Sequence, residues 1–418
     1  MAELIKLPNG VRVITCHVDT VETTAFAIST QTGSRHENES NQGIAHFMEH
    51  IMAGKTRDGV LLSKIMDDIG WWSNAATWKH QTAYYGKGLA DGFAKAFEVI
   101  AHQFLGGWFP DEEVEKERKV IFEEIGLCHD DNSRWLGRNS FQTSYPDQPF
   151  GRQALGTKET VTAITAQDMS GFWQKNYHPE NTLISIAGKF DRDKAVDLAQ
   201  RLFGGWSNPN TPEIPVPAVY KGGVWKEKRD QLTQAEVILS MQGVPYIDPD
   251  YLPLALGSSV LGGGGNSRLN KIIREDNRLV YYIGSGTSNF SDTGMFEIDF
   301  TTSLENLEKV LKLSCQLARD LPGSLTKEEI DNVKLKFKRR TFETLESISS
   351  VCWWYHDQVV RYGKIITPQE KYLQYQAITA EQVDAAFRKM LGSKLTYSII
   401  GPEMKEPDYA AVCGWLGS

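Results

Sequence analysis

The sequence predicts an α+β protein of two homologous domains joined by a linker. The chain has 418 residues, which is more than one hydrophobic core usually serves, so two or three domains are expected. A proline-rich stretch divides it into nearly equal halves, and short patterns from the first half recur in the second. Because helices and strands alternate irregularly rather than as regular βαβ units, we expect a duplicated α+β domain.

The linker is predicted at residues 207–223. Its first part, Ser207–Pro217, contains four prolines and has no helical periodicity, which is typical of an extended connection. We therefore place one domain at residues 1–206 and the other at residues 224–418.

Two repeated patterns indicate the duplication. The sequence ITAQDM at residues 164–169 recurs as ITAEQV at residues 378–383, and each copy is followed by a phenylalanine and then by a β-branched strand that ends in glycine. The sequence DEEV at residues 111–114 likewise resembles KEEI at residues 327–330, and each opens a long charged helix. A repeat period near half the chain excludes a solenoid, whose repeats are about 20–50 residues long.

Composition and charge exclude several classes of protein. The first residues predict a strand, a turn at Pro8–Gly10 and a second strand at Val11–Val18, without the apolar core of a signal peptide. The sequence also lacks the run of about 18 apolar residues that a membrane span needs. The five cysteines are widely spaced and form no C-x-x-C, so a cytoplasmic protein is expected, although a processed periplasmic or organellar form stays open. A net charge of -8 argues against nucleic acid as a partner.

The motif H-x-x-E-H, formed by His46, Glu49 and His50, is the most informative feature of the sequence. Residues four apart on a helix lie one above the other, so both imidazoles point the same way and Glu49 projects beside them. Two imidazoles can bind zinc, and a carboxylate next to them can act as a base. Asn41 is expected to cap this helix, with Gly43 in its first turn.

A third zinc ligand is expected from another helix, because catalytic zinc usually has three protein ligands and one open position. Residues 110–125 begin with proline and aspartate, which are helix-start signals, and within this helix Glu117, Ile121 and Glu124 fall on one face. A buried carboxylate needs a charged partner, and a zinc ion is one. Two valines are expected to pack near this face, Val114 and Val120.

These motifs resemble those of the M16 metallopeptidases, which include pitrilysin, insulin-degrading enzyme and the mitochondrial processing peptidase. Residues 43–50, followed by residues 54–56, look like the family's G-x-A-H-x-x-E-H…G-[ST]. Residues 74–85 resemble its N-A-x-T…T-x-Y strand, and residues 117–125 resemble its E-R-x-V-I-x-E-E-I helix. The match extends over essentially the whole chain. It implies the short two-domain type, with two homologous α/β-sandwich domains of the LuxS/MPP-like metallohydrolase fold.

The resemblance assigns a role to each residue of the zinc site. His46, His50 and Glu124 match the family's zinc ligands, and Glu49 matches its general base. Glu117 matches a carboxylate that contacts a ligand histidine and orients it.

Three further positions bear on this site. Glu123 competes with Glu124 for the ligand role, but its side chain points about 100° away on the helix. Asn74 and Ala75 match an edge strand of the family that binds substrate by strand addition.

The second half of the chain lacks H-x-x-E-H. Aligning the two long charged helices puts Arg340 at the position of Glu124, so the second copy is expected to bind no metal. The resemblance instead gives this half a substrate-binding motif.

Residues 262–269 and residues 274–281 look like the family's G-G-x-S-S-R-L…R-E-x-x-x-L-x-Y. In the family, its arginine and tyrosine bind the substrate backbone and stabilise the tetrahedral intermediate, and here they are Arg274 and Tyr281. Tyr282 stays open as the working hydroxyl. The glycine run lacks the frame of a nucleotide phosphate loop, and its simplest interpretation is a flexible turn before a helix.

The sequence therefore predicts a zinc metalloendopeptidase that hydrolyses peptides or small unfolded polypeptides in a closed chamber, with Glu49 activating the attacking water. The family's working unit has four such domains, so the resemblance implies a homodimer in which Arg274 and Tyr281 act on the zinc of the partner subunit. No membrane insertion is expected. Two alternatives stay open: a catalytically inactive structural homologue, like the core subunits of a respiratory complex, and a metal-dependent hydrolase of non-peptide substrates.

Overall fold

The computed structural model describes residues 2–403 and 406–417. The first half of the chain contains β1 (Ala2–Lys6), β2 (Arg12–His17), β3 (Thr23–Thr30), α1 (Ile44–Gly54), α2 (Leu62–Asp68), β4 (Trp71–Thr77), β5 (Thr82–Leu89), α3 (Phe93–Gly106), α4 (Asp111–Asp130), α5 (Asn132–Ser144), α6 (Lys158–Ala163), α7 (Ala166–Asn176), β6 (Thr182–Gly188) and α8 (Arg192–Phe203). The second half contains β7 (Gly223–Lys228), β8 (Gln234–Gln242), α9 (Tyr251–Gly262), a π-helical segment (Asn270–Asp276), β9 (Val280–Asn289), β10 (Gly294–Ser303), α10 (Leu307–Arg319), α11 (Lys327–Glu343), α12 (Ile348–Tyr362), α13 (Pro368–Gln376), α14 (Ala380–Leu391), β11 (Leu395–Gly401) and α15 (Tyr409–Leu416).

The two sheets of the protein repeat one strand order. The first sheet runs β1-β2-β6-β3-β5-β4, and the second runs β7-β11-β8-β10-β9. When β1 is set aside, the strands correspond one to one in chain order. The parallel pair is also equivalent, since β2 lies parallel to β6 and β7 lies parallel to β11. This correspondence confirms the duplicated α+β fold that the sequence predicts.

The repeated ITA patterns open the same helix in each half. The Thr165 side chain accepts a hydrogen bond from the N–H of Asp168 at the start of α7, and Thr379 accepts one from Gln382 at the start of α14. Each helix precedes a strand, β6 or β11, whose residues are all buried. Burial on both faces explains why these strands are continuous runs of apolar and β-branched residues.

The chain forms two compact units, and each includes one helical segment from the opposite half of the sequence. Helix α12 packs on β6 and β3 of the first sheet, and α5 packs on β11 and β8 of the second. The sequence predicts one domain at residues 1–206 and the other at residues 224–418, and these continuous ranges do not include the exchange of the two helices. The first unit comprises the residues up to Leu127, Arg152–Val216 and Phe342–Pro368, and the second comprises Cys128–Gly151, Pro217–Thr341 and the residues from Gln369 onward.

The proline-rich connection forms no regular structure. Residues 207–222 are neither helix nor strand, and β7 begins at Gly223. Across residues 2–403 and 406–417, no helix combines the length and apolarity needed to cross a membrane. The five cysteines are free thiols.

Candidate metal centre and active site

Helix α1 carries the H-x-x-E-H motif and is anchored by its apolar face. Ile44, Phe47 and Met48 are fully buried in the core of the first unit. His46 and His50 lie on another face of the helix and are only partly buried. The spacing of apolar residues therefore fixes which way the two imidazoles point.

The start of α1 is held by a carboxylate that the sequence analysis missed. Glu37 is buried, and its oxygens accept hydrogen bonds from the N–H groups of Gly43 (2.9 Å) and Ala45 (3.0 Å). Burial raises the pKa of Glu37 to about 8, and the two N–H donors only partly oppose this shift. The expected Asn41 cap is wrong, because the Asn41 side chain accepts from the N–H of Asn38 instead. Gly43 itself has a φ of 95° and turns the chain into the helix, a conformation that favours glycine.

The three predicted zinc ligands lie together. Nε2 of His46 is 3.2 Å from Nε2 of His50, and the carboxylate oxygens of Glu124 are 3.6 Å from each of these nitrogens. Zinc bonds of about 2.0–2.1 Å place the ligand atoms of a tetrahedral site about 3.3–3.4 Å apart. The donor atoms therefore have the chemistry and spacing of a zinc site. Within the described chain, they form the one group of three or more such side chains close enough to hold a metal ion.

Helix α4 supplies both carboxylates on this side of the centre. Ile121 is fully buried between Glu117 and Glu124 along the predicted face, and Oε2 of Glu117 lies 3.3 Å from Nδ1 of His50. Glu123 is exposed, as its helical angle indicates. The expectation for Val120 is wrong, because that side chain is largely exposed while the other valine, Val114, is buried.

The surroundings of the two histidines affect their protonation differently. Burial and the neighbouring His50 lower the pKa of His46 to about 4, so this imidazole is neutral at physiological pH, the form that binds metal. Burial also opposes a charge on His50, but the carboxylates of Glu124, Glu49 and Glu117 outweigh it and raise the pKa of His50. The neighbouring His50 lowers the pKa of Glu124. The centre thus joins one carboxylate to two imidazoles of unequal basicity.

Glu49 lies beside the three ligands but outside their group. Its residue surface is only 8% exposed, and the Thr77 hydroxyl donates a hydrogen bond to its Oε2 at 3.0 Å. Burial raises the pKa of Glu49 above the ordinary value of a glutamate, which makes this carboxylate a stronger base.

Strand β4 ends the first sheet close to this centre and pairs with β5 on one side only. Asn74 and Ala75 lie in its middle, opposite Tyr85 and Tyr84. The side-chain oxygen Oδ1 of Asn74 accepts a hydrogen bond from the backbone N–H of Ala75 at 2.9 Å. In the sheet of the first unit, the outer edge of β4 therefore has no strand partner, and strand addition requires such an edge.

In the second unit, Arg274 and Tyr281 lie together. The guanidinium carbon of Arg274, in the π-helical segment, is 5.8 Å from the centre of the Tyr281 ring. Tyr281 stands at the start of the edge strand β9 and is 84% exposed. Both side chains are accessible to a ligand.

Tyr282 has different surroundings from its neighbour. Its hydroxyl bonds to the Asp299 carboxylate, and burial together with this carboxylate raises the pKa of Tyr282 to about 12. The glycine run closes α9, and at Gly262 a Cβ would meet the backbone nitrogen of Ser285 at 2.3 Å. That glycine is needed for close packing of α9 on β9.

Comparison with known proteins decides the family. The model of the insulinase family, peptidase family M16, matches residues 12–158, and the model of the peptidase M16 inactive domain matches residues 163–337. An uncharacterized zinc protease of Rickettsia felis is 32% identical over 402 residues, which cover 95% of this chain and 97% of that protein. The chain belongs to peptidase family M16. A second M16 relative, the uncharacterized zinc protease YmxG of Bacillus subtilis, is 28% identical over 96% of this chain and 98% of its own.

Solved structures share the M16 fold over nearly the whole chain. A protease from Helicobacter pylori aligns with a TM-score of 0.86 at 22% identity, covering 96% of this chain and 99% of that one. A chain of Complex III2 from Candida albicans aligns with a TM-score of 0.87 at 19% identity, covering 99% of each chain. These neighbours include a protease and a component of a large complex, so the M16 fold alone does not decide catalysis.

Proposed function

We propose that this M16 protein is a zinc metalloendopeptidase that hydrolyses peptides or small unfolded polypeptides in an enclosed chamber. The observation that carries the proposal is the set of ligand atoms from His46, His50 and Glu124, 3.2 to 3.6 Å apart, with Glu49 beside them. The zinc protease names of the relatives support the same metal and reaction.

The residues of the first unit have separate roles in the proposed reaction. His46, His50 and Glu124 hold the zinc ion, which when bound acts as a Lewis acid on water and on the scissile carbonyl. Glu117 holds Nδ1 of His50 and so keeps Nε2 turned to the metal. Glu49 takes the proton of the attacking water and passes it to the leaving amine.

The peptide is held by two elements. Its backbone adds to the free edge of β4 at Asn74 and Ala75, so that the scissile bond lies along a fixed strand. Arg274 and Tyr281 bind the peptide backbone and donate hydrogen bonds to the oxyanion that develops in the transition state.

We propose further that the active enzyme is a homodimer, in which Arg274 and Tyr281 of one subunit serve the zinc centre of the other. Mixing a Glu49→Gln protein with an Arg274→Ala protein tests this arrangement, because each alone lacks one part of the machinery. Activity that returns in the mixture supports shared sites, and a mixed dimer without activity contradicts them.

The zinc content of the purified protein and digestion of an unstructured peptide mixture, with and without a chelator, test the function. We expect one zinc per chain, chelator-sensitive cleavage, and a Glu49→Gln protein that keeps its zinc but cleaves nothing. A wild-type protein that holds no zinc and cleaves no peptide would instead be an inactive structural homologue. Zinc-dependent hydrolysis of non-peptide substrates, without cleavage of peptides, would indicate a metal-dependent hydrolase of non-peptide substrates.

A further inference from the structure

The proposed base is buried against a strand whose last side chain contacts it. Thr77 ends β4, and its hydroxyl donates to Oε2 of Glu49 at 3.0 Å. A hydrogen bond to a charged acceptor is roughly twice as strong as a neutral one. The contact therefore restricts the rotation of the Glu49 carboxylate.

The neighbouring hydroxyl of Thr82 does not displace Glu49 as the acceptor of the hydrogen bond that Thr77 donates. Thr82 lies opposite Thr77 across the β4–β5 pair, and its own hydroxyl donates to the carbonyl of Thr32 at 2.9 Å. The two threonine oxygens are 3.5 Å apart, which is longer than the bond to Glu49. The single hydroxyl proton of Thr82 is already donated to Thr32. Thr82 can therefore only accept a hydrogen bond from Thr77, and it is a more distant acceptor than Glu49 and carries no charge.

Two further buried side chains with hydroxyl groups lie next to this pair of threonines. The Tyr84 hydroxyl donates to Sδ of Met52 at 3.4 Å, Tyr177 lies close to both Thr82 and Tyr84, and all four residues are at most 2% exposed. Burial raises the pKa of both tyrosines, so they stay neutral.

We infer that Thr77 is a positioning residue that fixes the general base against the strand that binds the peptide. The inference rests on the proposed function of Glu49. The Thr77 hydroxyl occupies Oε2 of Glu49 and leaves Oε1 of Glu49 to accept the proton of the attacking water. Because Thr77 belongs to β4, the same strand sets the position of the base and that of the added peptide.

Two substitutions separate this role from a structural one. Thr77→Val keeps the shape and removes the hydroxyl, and we expect kcat to fall roughly 10-fold to 100-fold with KM and zinc stoichiometry unchanged. Thr77→Ser restores the hydroxyl and is expected to stay within about 3-fold of the wild type in kcat.

Thr24→Val is the matched control. It removes a hydroxyl that donates to the carbonyl of Lys189 at 2.6 Å at the opposite end of β3 from Thr30, the β3 partner of Thr82. This variant is expected to lose thermal stability and keep its kcat. The inference is overturned if Thr77→Val keeps kcat, if Thr77→Ser is as impaired as Thr77→Val, or if the valine raises KM alone.

A second measurement uses the zinc-free protein and no substrate. The thermal midpoints of wild type, Thr77→Val, Glu49→Ala and the double variant form a cycle. We expect the valine to lower the midpoint in the presence of Glu49 and to have little effect in the Glu49→Ala background. Equal effects in both backgrounds would contradict the contact. If the wild type hydrolyses no peptide, the proposed function fails, while this cycle still reports whether Thr77 holds the carboxylate.

Discussion

Nδ1 of His50 lies 3.3 Å from Oε2 of Glu117, while Nε2 of the same ring lies 3.6 Å from Glu124. One imidazole thus joins two carboxylates of helix α4 through its two nitrogens. An Nδ1–H that donates to Glu117 fixes the tautomer whose Nε2 is free to bind a metal.

Replacing Glu117 with glutamine should weaken zinc binding without abolishing it. The amide keeps the shape but loses the charge that orients His50, so we expect zinc affinity to fall about 10-fold to 100-fold. Competition with a chromogenic chelator measures the affinity. Glu123→Gln, on the exposed side of the same helix, is the matched control, and an equal loss in both variants would show that the helix, not the contact, is responsible.

Replacing Glu124 with alanine should remove zinc altogether. The substitution deletes one of three protein ligands and leaves two imidazoles, which form an incomplete catalytic site. Metal analysis after gel filtration is expected to find one zinc per chain in wild type and Glu123→Ala, and almost none in Glu124→Ala. Zinc retained by Glu124→Ala but lost from Glu123→Ala would reverse the two roles.

The helix faces that carry these side chains could be predicted from sequence because they depend on helix geometry, whereas the choice of Glu124 as the third ligand came from the resemblance to the M16 family. The four-residue spacing of His46 and His50 and the seven-residue spacing of Glu117 and Glu124 define faces within single helices. The contacts of Glu37 and Thr77 could not be predicted in this way. They depend on which strand and which loop pack against α1, and no local periodicity encodes that choice.

The exchange of α5 and α12 between the two halves could not be predicted from the sequence for a related reason. Their apolar faces indicate burial, but either sheet could cover such a face. In the structure, Ser29 on β3 bonds to His356 of α12 at 2.8 Å, and Ser140 of α5 lies 3.2 Å from Ser240 on β8. Buried polar contacts of this kind specify the sheet on which each helix packs, and the contacting residues are far apart in the chain.

Removing the carboxylate of Glu37 should destabilise the helix that carries the motif. Glu37→Ala leaves the N–H groups of Gly43 and Ala45 without their acceptor, and we expect the free energy of unfolding to fall by about 2 kcal/mol. Chemical denaturation of the zinc-free protein measures the change. Glu39→Ala is the control, because that side chain is 91% exposed. A similar loss in the control would argue against the cap.

A pH-dependent part of the stability should depend on Glu297. Burial raises the pKa of Glu297 from 4.5 to about 7, so the folded protein holds a proton that the unfolded chain releases within this range. The contribution is complete below about pH 4.5 and is lost as the pH rises through about 7, a decrease of about 3 kcal/mol. Glu297→Gln is expected to remove this part of the pH dependence. The difference between variant and wild type, measured by denaturation at each pH, cancels the other titrating groups, and a flat difference would contradict the assignment.

The two adjacent tyrosines of β9 should respond differently to loss of the hydroxyl. Tyr281 is exposed beside Arg274, whereas the Tyr282 hydroxyl donates to Asp299. If Tyr281 stabilises the oxyanion, Tyr281→Phe should lower kcat by about 10-fold to 100-fold. Tyr282→Phe should instead lower the thermal midpoint and leave kcat nearly unchanged, because it removes a structural hydrogen bond.

Steady-state kinetics on a quenched fluorescent peptide, with zinc content measured on the same samples, distinguish these outcomes. Neither substitution touches α1 or α4, so both variants are expected to hold one zinc per chain. A kcat loss confined to Tyr282→Phe would transfer the catalytic role to Tyr282 and would require that hydroxyl to leave Asp299 when the peptide binds. A rise in KM alone for Tyr281→Phe would limit Tyr281 to peptide binding, because a group that acts only in the transition state changes kcat and leaves KM unaltered.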